Sequence, residues 1–315
     1  MQLHGSSVAA DAAMLRTRNL AAFSLLLVLA LAFSGCDRRP PSARSEHARL
    51  AGRERSWIVH TPRGFSGSRK MPLVLAFHGD GGTPREMERL TRLDRVADRD
   101  HFIVVYPAGL DRSWAAGVNS GADRADVDDV AFTTALLETL EAKYRVDRHR
   151  IVLTGFSNGA HLVELLGCRL AGHIAAIVPV SGTLADSLVA GCRPAHPLTV
   201  IEFHGRKDPI DPYGGGAIRI RGGGRVLGVR ANIEHWAHWD RCNPRAVERA
   251  RSRFTERVYD GCASDAKVRL FTLEGGGHTW PGGPQYLPKL FVGDATHVID
   301  ASEIVGAVAT GKNTF

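Results

Sequence analysis

Three side chains far apart in the chain have the types that acyl-transfer chemistry needs: Ser157, Asp208 and His278. Ser157 sits in Gly155-Phe156-Ser157-Asn158-Gly159, between an apolar run and a helical pattern. A strand-to-helix turn that sharp strains its serine, and glycines two before and two after remove Cβ atoms that would strike neighbouring strands. A hydroxyl is a weak nucleophile until a base takes its proton, and an imidazole serves as that base when an acid fixes its tautomer. Acid and base follow such a serine in that order, each on a loop after a strand. Asp208 lies three residues past the run 198–205, in "HGRKDPIDPYGGG", and His278 follows the run 267–273, in "EGGGHTWPGG". Either residue alone would be an ordinary loop residue; the ordered triple assigns nucleophile, acid and base.

The same chemistry needs two backbone N–H groups for the developing oxyanion. One is expected from Asn158, after the serine, and the other from Asp80 in the "HGDGG" loop. His78 precedes the serine, out of order for the base, and is assigned to bracing that loop; His161, His173, His204, His235 and His238 show no partner pattern and count as structural. Trp114 and Trp280 are expected to wall the substrate site, with core packing as the alternative. The mechanism calls for no metal and no organic cofactor.

Elements that could position these groups are legible. "SWIVH" (56–60), "PLVLAFHG" (72–79), "FIVVYP" (102–107), "IVLTG" (151–155), "IAAIVPVSG" (174–182), "LTVIEFHG" (198–205) and "KVRLFTL" (267–273) have the apolar content of strands. Helical periods occupy 84–100, 127–144, 159–170 and 230–242, and a last apolar segment covers 299–309. Val127, Val130, Thr134, Leu137, Leu140 and Tyr144 line one face of the second helix, and Asp126, Asp128 and Asp129 at its start suit capping better than metal binding. Strands alternating with helices imply an α/β fold with a mostly parallel, doubly wound sheet flanked by helices. The glycine-rich stretch 213–228 is the longest irregular insertion, near a site or plainly on the surface.

The N-terminus has the form of a targeting segment. Arg16 and Arg18 precede an apolar run over 20–35 that ends in "FSGC", a signal peptide of lipoprotein type with Cys36 as the lipidated residue. Met14 is a candidate start. The expected organisation is a signal peptide over 1–35, a flexible polar tether over 36–55 and one catalytic domain over 56–315. Export gives meaning to the four remaining cysteines, Cys168, Cys192, Cys242 and Cys262: two disulfides, for which three connectivities exist. Pairing Cys168 with Cys192 and Cys242 with Cys262 is favoured because each pair brackets a local loop. The formal charge of +7 comes from basic residues spread along the chain, which argues against nucleic acid as a partner. Membrane contact is expected only through the lipid, and oligomeric state is silent.

Seven ordered motifs carry a resemblance: "PLVLAFHGDGG", "YPAGLDRSWAAG", "VDDVAF", "VLTGFSNGAHL", "EFHGRKDPIDPYGGG", "WDRCNP" and "GGGHTWPGG". Over about residues 56–285 the chain is similar to the polyhydroxybutyrate depolymerase and feruloyl esterase family of α/β-hydrolases. The resemblance implies a secreted serine esterase with Ser157, Asp208 and His278 as its triad. It also implies polyester-oligomer, feruloyl or acetyl-sugar ester substrates and the same two local disulfides. Asp211 departs from the pattern, standing where the family usually has an apolar residue, and offers a second carboxylate for His278. A serine peptidase or an acyltransferase would use the same triad, and an envelope-tethered binding protein would have the fold with an inert serine.

Overall fold

Runs of Val, Ile and Leu without alternation form strands covered on both faces, and the centre of the sheet is built from them. The computed structural model describes residues 43–220 and 223–312. In it β3 (Met71–Phe77), β4 (Ile103–Pro107) and β6 (Ala176–Val180) are buried at every position. They stand with β1 (Ala43–Leu50), β2 (Arg53–His60), β5 (Val146–Phe156), β7 (Thr199–Gly205), β8 (Val247–Ala250), β9 (Phe254–Tyr259) and β10 (Val268–Leu273) in one ten-stranded sheet. The order is β1-β2-β4-β3-β5-β6-β7-β10-β9-β8. The run from β4 to β10 is parallel, and antiparallel pairs occupy both edges. This is the mostly parallel sheet that the alternation of elements predicts.

Successive strand residues point to opposite faces, and the core divides accordingly. Leu73, Leu75 and Phe77 pack with Phe132, Leu162 and Trp236, from α3 (Asp129–Lys143), α4 (Asn158–Leu170) and α5 (Val229–Trp239). Val74 and Ala76 pack on the other face with Leu90, Val96 and Val305, from α1 (Pro84–Thr91), α2 (Leu93–Asp100) and α6 (Ala301–Thr310). The described residues belong to one compact unit. The signal peptide, Met14, Cys36 and residues 36–42 of the expected tether lie outside the described residues.

Several expectations need correction. The tether over 36–55 is not a tether beyond residue 42. β1 pairs antiparallel with β2 from Ala43↔His60 to Leu50↔Arg53, through Ala51 and Gly52, both at positive φ as a two-residue hairpin turn requires. Its polar composition is that of a charged edge strand, which resists pairing with another chain. Glu46 on β1 is nonetheless engaged, accepting from Trp57 Nε1 (3.2 Å), Tyr144 Oη (2.7 Å) and Lys143. The helical period over 84–100 is two helices, broken at Arg92, whose φ is 54°. There the Thr91 carbonyl, freed from the helix, accepts the Ser302 hydroxyl at 2.5 Å.

The face of α3 is also turned from the one expected. Phe132, Thr133, Leu136, Leu137 and Leu140 are buried, while Val130 and Thr134 are only half-buried. Asp128 caps the helix by accepting from Ala131 N at 2.8 Å. Asp129 is no cap: its carboxylate is buried against the Arg55 guanidinium. The β8–β9 hairpin has no counterpart among the expected strands, because its charge-rich sequence, exposed along β8 and half-buried to buried along β9, gives no continuous apolar signal. Both local disulfides, Cys168–Cys192 and Cys242–Cys262, are present, a pattern typical of chains that mature in an oxidising compartment.

Candidate active site

β5 ends at Phe156 and α4 begins at Asn158, so Ser157 alone makes the turn, with φ 55° and ψ −119°. A Cβ on Gly155 would lie 2.3 Å from the Gly159 carbonyl oxygen, and one on Gly159 would lie 2.3 Å from the Phe77 oxygen. Those contacts are why both positions are glycine. Ser157 opens, half-buried, into a cavity of about 600 Å³ that His278 also lines.

His278 follows β10 on a loop whose course is fixed by its own amide, which donates to the Val292 carbonyl at 2.6 Å. Its Nδ1 lies 2.8 Å from Asp208 Oδ2. A carboxylate at Nδ1 holds the proton there and leaves Nε2 as the basic nitrogen. The other Asp208 oxygen accepts from the Ile210 and Asp211 amides, at 2.9 and 2.8 Å. Burial pushes the Asp208 carboxyl up, but His278 and these other partners outweigh it and hold the group below its ordinary range, as a carboxylate. The second carboxylate goes elsewhere. Asp211 Oδ2 lies 2.9 Å from His161 Nε2, while His161 Nδ1 donates to the Thr183 carbonyl at 2.7 Å. Burial lowers the His161 pKa and Asp211 more than offsets it, so the ring titrates above its ordinary range.

Asn158 and Asp80 both line the cavity, and among the described residues neither backbone N–H meets an acceptor. His78 braces their loop: Nδ1–H donates to the Gly79 carbonyl (2.8 Å) and Nε2 accepts from Gly109 N (3.0 Å). That pattern requires a neutral ring, and burial lowers its pKa in the same sense. The aromatic wall is corrected, because Trp114 and Trp280 are both completely buried and neither reaches the cavity. Each indole N–H is satisfied inside, Trp114 on the His78 carbonyl (2.9 Å) and Trp280 on Ser302 Oγ (3.0 Å). Met87 and Leu90 of α1, Ile218 and Ile220 of the glycine-rich stretch, and Tyr286 and Leu287 form apolar walls instead. Of these, only the glycine-rich stretch is foreshadowed in the sequence.

Behind the acid loop lies a buried polar layer that the sequence does not announce. Glu164 accepts from Asn232 Nδ2 (2.8 Å) and Trp236 Nε1 (2.6 Å), and Asn232 also donates to Glu202 (3.1 Å). Burial and the neighbouring Glu202 push the Glu164 carboxyl well up. His204, 3.7 Å from Glu202 and 3.6 Å from Asp208, is pulled down by burial but raised overall by these acids to about 9. Both groups hold protons in the folded chain that the unfolded chain releases, near pH 4.3 for Glu and 6.5 for His. Their contribution to stability is present at low pH and lost as pH rises through the folded-state values. The melting temperature should therefore fall between pH 6 and pH 9, and Glu164→Gln should flatten that fall. Thermal melts across this range check it, and an equally steep decline in the variant would rule Glu164 out.

A strand-elbow-helix serine, a carboxylate-bound histidine and two free amides around one cavity, on a mostly parallel sheet covered by helices, define an α/β-hydrolase. Residues 55–220 match the family model "Esterase PHB depolymerase". The chain belongs to this family. Feruloyl esterase B of Piromyces equi is 32% identical over 228 residues, covering 71% of this chain and 42% of that protein. The chain thus spans less than half the length of that relative. Putative esterase NocK of Nocardia uniformis subsp. tsuyamanensis is 31% identical over 271 residues, 80% of this chain and 78% of that protein. Among solved structures the fold is shared with an acetyl xylan esterase from Aspergillus awamori (TM-score 0.52, 14% identity, 75% of this chain and 94% of that one). It is also shared with a feruloyl esterase module from Clostridium thermocellum (TM-score 0.55, 14% identity, 87% and 90%).

Proposed function

We propose that the protein hydrolyses carboxylic esters through an acyl-enzyme on Ser157. His278 Nε2 takes the serine proton as Oγ attacks the ester carbonyl. The Asn158 and Asp80 amides receive the oxyanion, and the electropositive end of α4 adds to their field. His278 then protonates the leaving alcohol, water repeats the sequence, and the acid is released. Asp208 keeps the imidazole in the one tautomer that can do this. The observation that carries the reading is the 2.8 Å His278–Asp208 bond facing the same cavity as the strained Ser157.

The ester is of polyhydroxyalkanoate-oligomer, feruloyl or acetyl-sugar type. The apolar walls from Leu90, Ile218, Ile220 and Tyr286 suit the first two better than a bare acetyl group. The mature protein is exported and held at the envelope by a lipid on Cys36. Two measurements on the purified protein test the activity: labelling by a fluorophosphonate, which only an activated serine attacks, and turnover of p-nitrophenyl acetate and methyl ferulate. Rapid single-site labelling with ester turnover is the expected result. An unlabelled, inactive protein would point to an inert fold, and a label without ester turnover to a peptidase.

A further inference from the structure

We infer that Trp114 is a positioning residue that holds the two halves of the oxyanion hole in register, an inference that rests on the esterase reading above. The reaction needs only the backbone N–H of residue 158, which almost any residue would supply. Yet the Asn158 carboxamide is committed at both edges to one residue. Oδ1 accepts from Trp114 N at 2.8 Å, and Nδ2 donates to the Trp114 carbonyl at 3.0 Å. The other half of the hole is held by the same residue, because the Trp114 indole N–H donates to the His78 carbonyl at 2.9 Å. That carbonyl belongs to the peptide leading into Gly79 and Asp80. Trp114 therefore bonds the residue that supplies one amide and the loop that supplies the other.

Its own position is over-determined. The ring is completely buried, edge-on to Phe77 (centroids 5.3 Å apart), stacked with Phe132 (6.4 Å) and tilted against His78 (4.9 Å). The Ser120 hydroxyl donates to the Trp114 carbonyl at 2.7 Å. The next amide, Ala115 N, donates at 2.8 Å to Asp129 Oδ2, and the other Asp129 oxygen meets buried Arg55. An ion pair thus anchors the segment, the segment grips Asn158, and the indole grips the opposing loop. An oxyanion donor displaced by about 1 Å costs on the order of 10²-fold in rate, so such a brace has kinetic consequences.

Two variants probe it. Trp114→Phe keeps the aromatic packing and deletes the N–H to His78; Asn158→Ala keeps the oxyanion amide and deletes the grip on Trp114. In each, kcat for p-nitrophenyl acetate should fall about 10- to 100-fold with KM within about two-fold, the signature of interactions made only in the transition state. Inhibition by phenylboronic acid, whose adduct occupies the hole, should weaken in parallel while the pH–rate profile stays in place. A folded variant with wild-type kcat overturns the inference. So does a rise in KM at constant kcat, which would make Trp114 a substrate wall, or a displaced pH profile, which would place its effect on the His278–Asp208 pair. If Trp114→Phe does not fold, Asn158→Ala decides; if neither folds, the contact serves folding and the inference fails. Ser157→Ala in the same assay separates the two levels. An active Ser157→Ala would sink the esterase reading itself, whereas an inactive one beside an unimpaired Trp114→Phe would sink only this inference.

Discussion

Ser157→Ala should lower kcat for a soluble aryl ester by about 10⁶-fold, the loss seen when a triad nucleophile is removed from a serine hydrolase. It should do so without unfolding the chain, because the turn depends on backbone contacts. Ser157 N donates to the Val180 carbonyl at 3.0 Å, and the Ser157 carbonyl accepts from Ala160 and His161 at 2.8 and 3.0 Å. A methyl group in place of the hydroxyl disturbs none of these. The companion Ser157→Gly should be equally inactive but more stable, by about 1–3 kcal/mol, the energy stored in a non-glycine residue held in a sparsely populated backbone region. At φ 55° and ψ −119° a side chain is unfavourable, and glycine adopts that conformation freely. The pair of variants separates chemistry from strain: assays report the hydroxyl, and chemical denaturation reports the turn. Residual turnover near wild type in Ser157→Ala would move the nucleophile elsewhere. A Ser157→Gly less stable than wild type would show that the turn stores no strain.

How much of this was legible in the sequence follows from where each signal lives. The elbow is local, with glycines two residues either side of a serine between an apolar strand and a helix, so a window of about twenty residues contains it. The pairing of Asp208 with His278 was legible because the order expected of acid and base, each after a strand, points to these two loops. The role of Trp114 was not. Its indole partner is a carbonyl 36 positions away, and its backbone partner is a side chain 44 positions away. Composition therefore makes it merely an aromatic residue near a glycine, and the substrate wall was the wrong inference. His161 and Asp211 were hidden for the same reason, one on α4 and the other on the loop after β7. β1 was missed because an exposed edge strand has the polar composition of a linker, and the break at Arg92 because nothing in the helical period marks the residue that takes a positive φ. The apolar cavity lining was not legible as a site, since Met87 and Leu90 read as an ordinary buried helix face and the rest comes from loops.

The choice between the two carboxylates near the base gives the second large effect. Asp208→Asn should lower kcat by about 10⁴-fold, because an amide presented to Nδ1 no longer fixes the tautomer or stabilises the imidazolium. With the amide donating to Nδ1, the proton moves to Nε2, and that nitrogen becomes a donor that cannot accept a proton from a nucleophile. Asp211→Asn, three residues on, should leave kcat within a small factor of wild type. Its carboxylate faces His161 Nε2 at 2.9 Å and only its backbone amide touches Asp208, a contact the substitution retains. The reverse ranking, with Asp211→Asn nearly inactive and Asp208→Asn mildly impaired, would assign the orienting role to Asp211. In that event the 2.8 Å bond to Asp208 would belong only to the resting enzyme, and the loop between the two carboxylates would have to shift when substrate binds.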